Sequence, residues 1–147
     1  DIATAFCNGM EYFNTFGGNP VSCAVGLAML DVLQQEGLQH HAHQMGEHMM
    51  RSILKLAAHH PFIGDVRGLG LFIGIEIIDT PAKKNPNPQA AKRIKESLLK
   101  YNILISIDGP QHNVLKIKPP MVLGPKDIAY FLSCFERVLD TELSQKI

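Results

Sequence analysis

The sequence predicts an α+β fold, one largely antiparallel sheet with helices on a face. Three observations carry this. Helical and strand patterns alternate irregularly along the chain. Gly68 and Gly70 stand between two strand-like runs and suit a tight hairpin connection. The composition turns polar at Gln34-Gln35-Glu36-Gly37, which sets a boundary inside or just after a long helix and divides the chain into residues 1–36 and 37–147.

Asp1 to Cys7 reads as the tail of a helix already under way. Asn19 can cap a second helix and Pro20 can open it, because the first turn needs no N–H from proline. That helix runs to about Glu36. Val21, Ala24, Val25, Leu27, Ala28 and Leu30 cover most of its circumference, so its first turns are expected to be deeply buried. A third helix follows Gly37. Leu38, Ala42, Met45, Met49, Ile53 and Leu56 step by three or four along one stripe, ending near His59-His60-Pro61. Phe62 to Arg67 and Gly70 to Ile78 read as strands. In the second, Leu71, Ile73, Ile75 and Ile77 alternate with Phe72, Gly74, Glu76 and Ile78. A polar loop from Asp79 to Pro88 leads to a helix behind Asn87-Pro88, with Ala91, Ile94, Leu98 and Tyr101 on its apolar stripe. Ile103 to Ile107 is a short strand and Asp108-Gly109-Pro110 a turn. Asn113 to Lys118 is another strand, closed by Pro119-Pro120 because proline cannot continue the ladder. The last helix starts at Pro125 and is expected to bury Ile128, Leu132, Phe135, Leu139 and Leu143.

The chain has 147 residues, nearly half of them apolar, with lysine plus arginine balanced by aspartate plus glutamate. That length accommodates one sizeable core. The balanced charge lacks the basic field that nucleic-acid binding needs, and no apolar run is long enough to span a bilayer. Cys7, Cys23 and Cys134 are far apart and odd in number, which fits buried thiols in a reducing compartment better than a disulfide framework. The cytoplasm is the expected location, with the mitochondrion as alternative.

Seven histidines invite a metal reading, above all His40-His41-Ala42-His43 and His59-His60. Adjacent histidines on a helix point in different directions, and no cysteine or carboxylate stands at zinc-site spacing, so no metal site is expected. Arg67, before the glycine turn, is expected to form an ion pair rather than an anion site. Glu76 is expected to be partly buried with a partner and is assigned no catalytic role. In the strand from Asn113 to Lys118, Leu115 and Ile117 share one face, and Val114, Lys116 and Lys118 the other.

The segment Thr15-Phe16-Gly17-Gly18-Asn19-Pro20 is the most informative one. Two glycines leave backbone N–H groups accessible, and a helix opening behind them beside a hydroxyl is a place to hold phosphate. The plain alternative is an ordinary capped helix start.

This segment, with the apolar helix after it, resembles the T-x-G-G-N-P region of class III pyridoxal-phosphate-dependent aminotransferases. The resemblance continues through Arg67-Gly68-Leu69-Gly70-Leu71-Phe72-Ile73-Gly74-Ile75-Glu76 and past Pro119-Pro120, three motifs in order over nearly the whole chain. It implies the C-terminal part of a fold type I enzyme about three times longer and homodimeric. Residues 1–36 would end the large cofactor-binding domain, and residues 37–147 would form the small C-terminal domain. Thr15 would bind the phosphate of pyridoxal 5'-phosphate, reaching across the dimer interface. The lysine that forms the Schiff base would lie outside this chain, so no catalytic residue is expected here and the chain alone would be inactive.

In the family the residue matching Lys116 is commonly an arginine that grips the substrate's α-carboxylate. Lysine offers a point charge without the planar fork. Ser106-x-Asp108-Gly109-Pro110-x-x-Asn113-Val114-Leu115-Lys116-Ile117-Lys118-Pro119-Pro120-Met121 and Glu11-Tyr12-Phe13-Asn14-Thr15 resemble the phospho-lyases of this superfamily, which act on phosphoethanolamine or 5-phosphohydroxylysine. The resemblance therefore implies a lyase for a small phosphorylated amine, with Lys116 touching the substrate. The alternatives are a class III aminotransferase and, from another class, a non-catalytic regulatory or interaction module.

Overall fold

A computed structural model describes residues 1–143, with side chains through Thr141. The chain forms two compact units, Asp1–Glu36 and Gly37–Ile147.

The first unit holds a short helix α1 (Ile2–Phe6) and the long α2 (Pro20–Gln35), joined by an irregular loop. Asn19 caps α2 by accepting from Ser22 N–H at 3.1 Å, with Pro20 in the first turn. The expected deep burial of α2 does not hold: Val21, Val25, Leu27 and Leu30 are all more than half exposed, and no residue of either helix is buried. The helix is apolar, but burial needs a facing layer, and two helices in one small unit do not supply it. The same reason corrects the cysteines. Cys134 is buried, whereas Cys7 and Cys23, both in the first unit, are exposed.

The second unit is a four-stranded antiparallel sheet with three helices. Its strands are β1 (Ile63–Leu69), β2 (Phe72–Ile77), β3 (Ser106–Asp108) and β4 (Val114–Ile117), in the order β1-β2-β4-β3. The helices are α3 (Leu38–Ala57), α4 (Pro88–Leu99) and α5 (Pro125–Leu143). α3 lies against β1 and β2, α4 against β2, β3 and β4, and α5 packs on both helices. Met49 and Ile53 of α3, Ile94 and Leu98 of α4, and Ile128, Phe135 and Leu139 of α5 meet Ile73, Ile75, Ile77 and Leu115 in one core. Leu132 is only partly buried, and Leu143 has its side chain outside the described residues. Asn87 repeats the cap of Asn19, accepting from Ala90 N–H at 3.0 Å with Pro88 in the first turn.

Two details depart from the sequence reading. Gly70, at φ +54°, makes the hairpin turn, but Gly68 lies inside β1 opposite Ile73. Ile78, placed on the outer face by alternation, is buried, because β2 ends at Ile77 and the chain turns to bridge Pro86. The third strand also starts later than expected, at Ser106 rather than Ile103.

The asymmetry between the units has a measurable consequence. Hydrogen exchange on the 147-residue chain is expected to show strong protection in α3, α4, α5 and the sheet, and weak protection from Phe6 to Phe16, where no buried contact opposes opening. Uniform strong protection across Phe6 to Phe16, in a chain shown to be monomeric, would contradict this.

Candidate substrate trough and phosphate loop

The helix-free face of the sheet carries the charged residues. Register sets their order. Arg67 lies opposite Gly74, Gly74 opposite Lys116, and Lys116 opposite Ser106. Arg67 and Lys116 thus flank a residue without a side chain, two strand spacings or about 10 Å apart at the backbone. The result is a trough of about 360 Å³ over Gly74, walled by Arg67, Phe72, Val114, Lys116 and Asp108. A Cβ at position 74 would sit 3.1 Å from Val114 Cγ1, so glycine keeps this floor low.

Each cation in the trough already has an acid. Arg67 Nη1 donates to Asp65 Oδ2 at 2.7 Å and to Glu76 Oε2 at 2.9 Å. Those hydrogen bonds, Asp65's first, raise the guanidinium's pKa further. Glu76 is half-buried and also faces Asn113 Nδ2 at 3.4 Å, as its position among strand isoleucines suggested. Lys116 Nζ donates to Asp108 Oδ2 at 2.6 Å, and Gly109 N–H donates to Asp108 Oδ1 at 2.9 Å. The hydrogen bond from Lys116, then that from Gly109, then the lysine's charge hold the Asp108 carboxyl below the usual carboxylate range. Asp108 is therefore ionised at neutral pH. On the acid side, the link to Lys116 is lost as pH falls through this lowered pKa.

In the sequence Asp108 marks a turn and stands in the stretch that resembles the phospho-lyases, with no partner assigned to it. Its partnership with Lys116 is a diagonal cross-strand contact between β3 and β4. The signal was the alternation of Ser106 and Asp108 with Ile107, but it required the register to be known.

Thr15 sits in the first unit, exposed, in the loop before α2. Asn14 organises that loop: its Oδ1 accepts from Phe16 N–H at 3.0 Å and Gly17 N–H at 2.9 Å. This corrects the expectation for Gly17, whose N–H is taken by Asn14. Gly18, at φ +75°, has open space where a Cβ would project. The loop thus offers an exposed hydroxyl beside an open backbone, a donor set suited to a phosphate oxygen. Among the described residues no group of three or more histidine, cysteine or acidic side chains could hold a metal ion. His41 instead meets Leu123 O at 2.8 Å and His43 meets Glu47 at 3.3 Å.

The aminotransferase class-III family model matches residues 1–139. The chain belongs to the class III aminotransferase family. It is 38% identical over its whole length to an alanine–glyoxylate aminotransferase 2-like protein of Drosophila melanogaster. It is 39% identical over 95% of its length to ethanolamine-phosphate phospho-lyase homolog 1 of Caenorhabditis elegans. It spans 30% of the length of each. Among solved structures, a phospholyase from Arthrobacter in complex with phosphoethanolamine is 38% identical, with a TM-score of 0.86 over 95% of this chain and 33% of the other. A Bacillus anthracis aminotransferase is 28% identical, with a TM-score of 0.82 over 89% of this chain and 30% of the other. The fold is thus part of a fold type I enzyme, and pyridoxal phosphate is the cofactor of these relatives.

Proposed function

We propose that the intact protein is a phospho-lyase acting on a small phosphorylated amine, phosphoethanolamine or 5-phosphohydroxylysine. With water, the reaction gives an aldehyde, ammonia and inorganic phosphate. The observation that carries this reading is Lys116: a compact ammonium, not a guanidinium fork, beside a trough of small-molecule size. A point charge suits a phosphate, whose oxygens present many equivalent approaches, whereas an α-carboxylate is best met by two parallel N–H donors. The phospho-lyase names of two relatives at 38–39% identity support the same reading.

In this account residues 1–36 end the large domain and residues 37–147 form the small one. The Thr15 hydroxyl donates to the phosphate of the cofactor bound in a neighbouring subunit of a homodimer, and Lys116 orients the substrate through its anionic end. The cofactor supplies an electron sink for the pair left when a proton beside the amine is removed. The exposed apolar surface of α2 supports burial against further domain structure and a second subunit. No helix among the described residues is long and apolar enough to cross a membrane. We place the enzyme in the cytoplasm, with the mitochondrion as alternative. A human relative at 30% identity is named as mitochondrial.

The Lys116 series tests the site. In the full-length enzyme, Lys116→Ala is expected to lower phosphate release from phosphoethanolamine or phosphohydroxylysine by roughly ten- to a hundredfold, the loss of one hydrogen bond to a charged group. Lys116→Arg keeps the charge and is expected to shift preference toward carboxylate substrates. Unchanged phosphate release in Lys116→Ala would place the lysine outside the site. The second reading, an aminotransferase, is favoured by the aminotransferase name of the Drosophila relative at 38% identity.

A further inference from the structure

We propose that Arg67, with Asp65 and Glu76, receives the α-amino-acid head of the substrate. The substrate is then a phosphorylated amine with an amino acid at its far end, 5-phosphohydroxylysine rather than phosphoethanolamine. This rests on the reading of the trough as the substrate site of a phospho-lyase, with Lys116 on the phosphate.

The guanidinium is held from one side. Asp65 Oδ2 and Glu76 Oε2 both accept from Nη1, at 2.7 and 2.9 Å. Glu76 is steadied in turn by the buried Asn113, whose Nδ2 faces Glu76 Oε1 at 3.4 Å and donates to Ile77 O at 3.0 Å. Because both acids take one nitrogen, neither occupies the Nε–Nη2 edge of the fork, an edge that can meet a carboxylate with two parallel bonds. The charges also match. Two carboxylates against one guanidinium leave a surplus negative charge beside the fork. A lone carboxylate would meet that surplus as repulsion. An amino-acid head brings an ammonium together with its carboxylate, and the ammonium has the surplus acid as its partner.

Spacing carries the rest. Arg67 and Lys116 stand on one face, either side of Gly74. The trough between them is walled by Phe72 and Val114, apolar surface for methylene groups. Extended 5-phosphohydroxylysine places its carboxylate roughly 7 Å from its phosphorus. One hydrogen bond at each end extends its reach beyond about 10 Å, the backbone separation of the two cations. Phosphoethanolamine, whose single amine is the reacting group, offers Arg67 nothing. Asp108 competes for Lys116 against both substrates alike, so the choice between them lies at Arg67.

The test is phosphate release by the full-length holoenzyme from three substrates. These are 5-phosphohydroxylysine, phosphoethanolamine and 1-amino-2-propanol phosphate, which keeps the branched carbon but lacks the amino-acid head. Wild type is expected to show a kcat/KM about tenfold or more higher for phosphohydroxylysine than for either headless substrate, mostly through KM. Arg67→Gln is expected to cut that preference by roughly ten- to a hundredfold. Arg67→Lys keeps a charge for the two acids but loses the fork, and is expected to cut it by about threefold or more. It serves in place of Arg67→Gln where that variant does not fold. A merely structural role would lower all three substrates together and leave the ratio unmoved. Equal wild-type kcat/KM for the three, or a preference unchanged in the Arg67 variants, would overturn the head-group site and leave the lyase reading intact. No phosphate from any of the three would overturn both.

Discussion

Thr15→Ala in the full-length enzyme is expected to weaken retention of pyridoxal phosphate by roughly ten- to a hundredfold. The estimate is the loss of one hydrogen bond to a charged group, about 1.5–3 kcal/mol. The hydroxyl is exposed in a loop whose inner N–H groups are already taken by Asn14. It is the loop's aliphatic hydroxyl, near the glycine pair, whereas the Tyr12 hydroxyl already accepts from Asn14 Nδ2 at 3.1 Å. Titration of the apo-enzyme with cofactor measures the effect. Thr15→Ser keeps the hydroxyl and is expected to retain most of the affinity. Equal affinity of wild type and Thr15→Ala would remove Thr15 from the cofactor site.

A second large effect is expected at Gly46, and it concerns stability. Gly46 is buried in the middle of α3, where the helix crosses the β1–β2 hairpin. A Cβ there would collide with the backbone carbonyl of Gly70, and backbone on both sides leaves no flexible side chain to yield. Overpacking of this kind costs about 3 kcal/mol, while alanine's helix propensity returns about 1 kcal/mol. Gly46→Ala should therefore destabilise the 147-residue chain by about 2 kcal/mol, lowering its melting temperature by roughly 10 °C. The sign is informative, because propensity alone predicts the opposite. A raised melting temperature would show that α3 does not approach the hairpin this closely.

What the sequence revealed was local. Asn19-Pro20 and Asn87-Pro88 mark helix starts because cap and proline chemistry need only four neighbouring residues. The stripe through Met49 and Ile53, and the alternation of Ile73, Ile75 and Ile77, follow from the periods of helix and strand. What stayed hidden depends on distant parts of the chain. The insertion of β4 between β2 and β3 brings Lys116 beside Gly74, and nothing local to either residue encodes that pairing. The contact of Lys116 with Asp108 depends on hairpin register, in which one residue of slip would reverse every side chain. The Gly46–Gly70 crossing likewise joins residues that each look like ordinary glycines in the sequence. The failed expectation for α2 has the same origin: its residues are apolar as a buried helix requires, but the layer that would cover them is not in its own unit.

Product analysis of the full-length enzyme tests the central claim most directly. Phosphoethanolamine or phosphohydroxylysine, incubated with the cofactor-loaded enzyme and no keto acid, should yield inorganic phosphate, ammonia and aldehyde in equal amounts. Ordinary amino acids with an added keto acid should be transaminated poorly. Robust amino transfer with no phosphate released from either phosphorylated amine would contradict the lyase reading and leave an aminotransferase in its place.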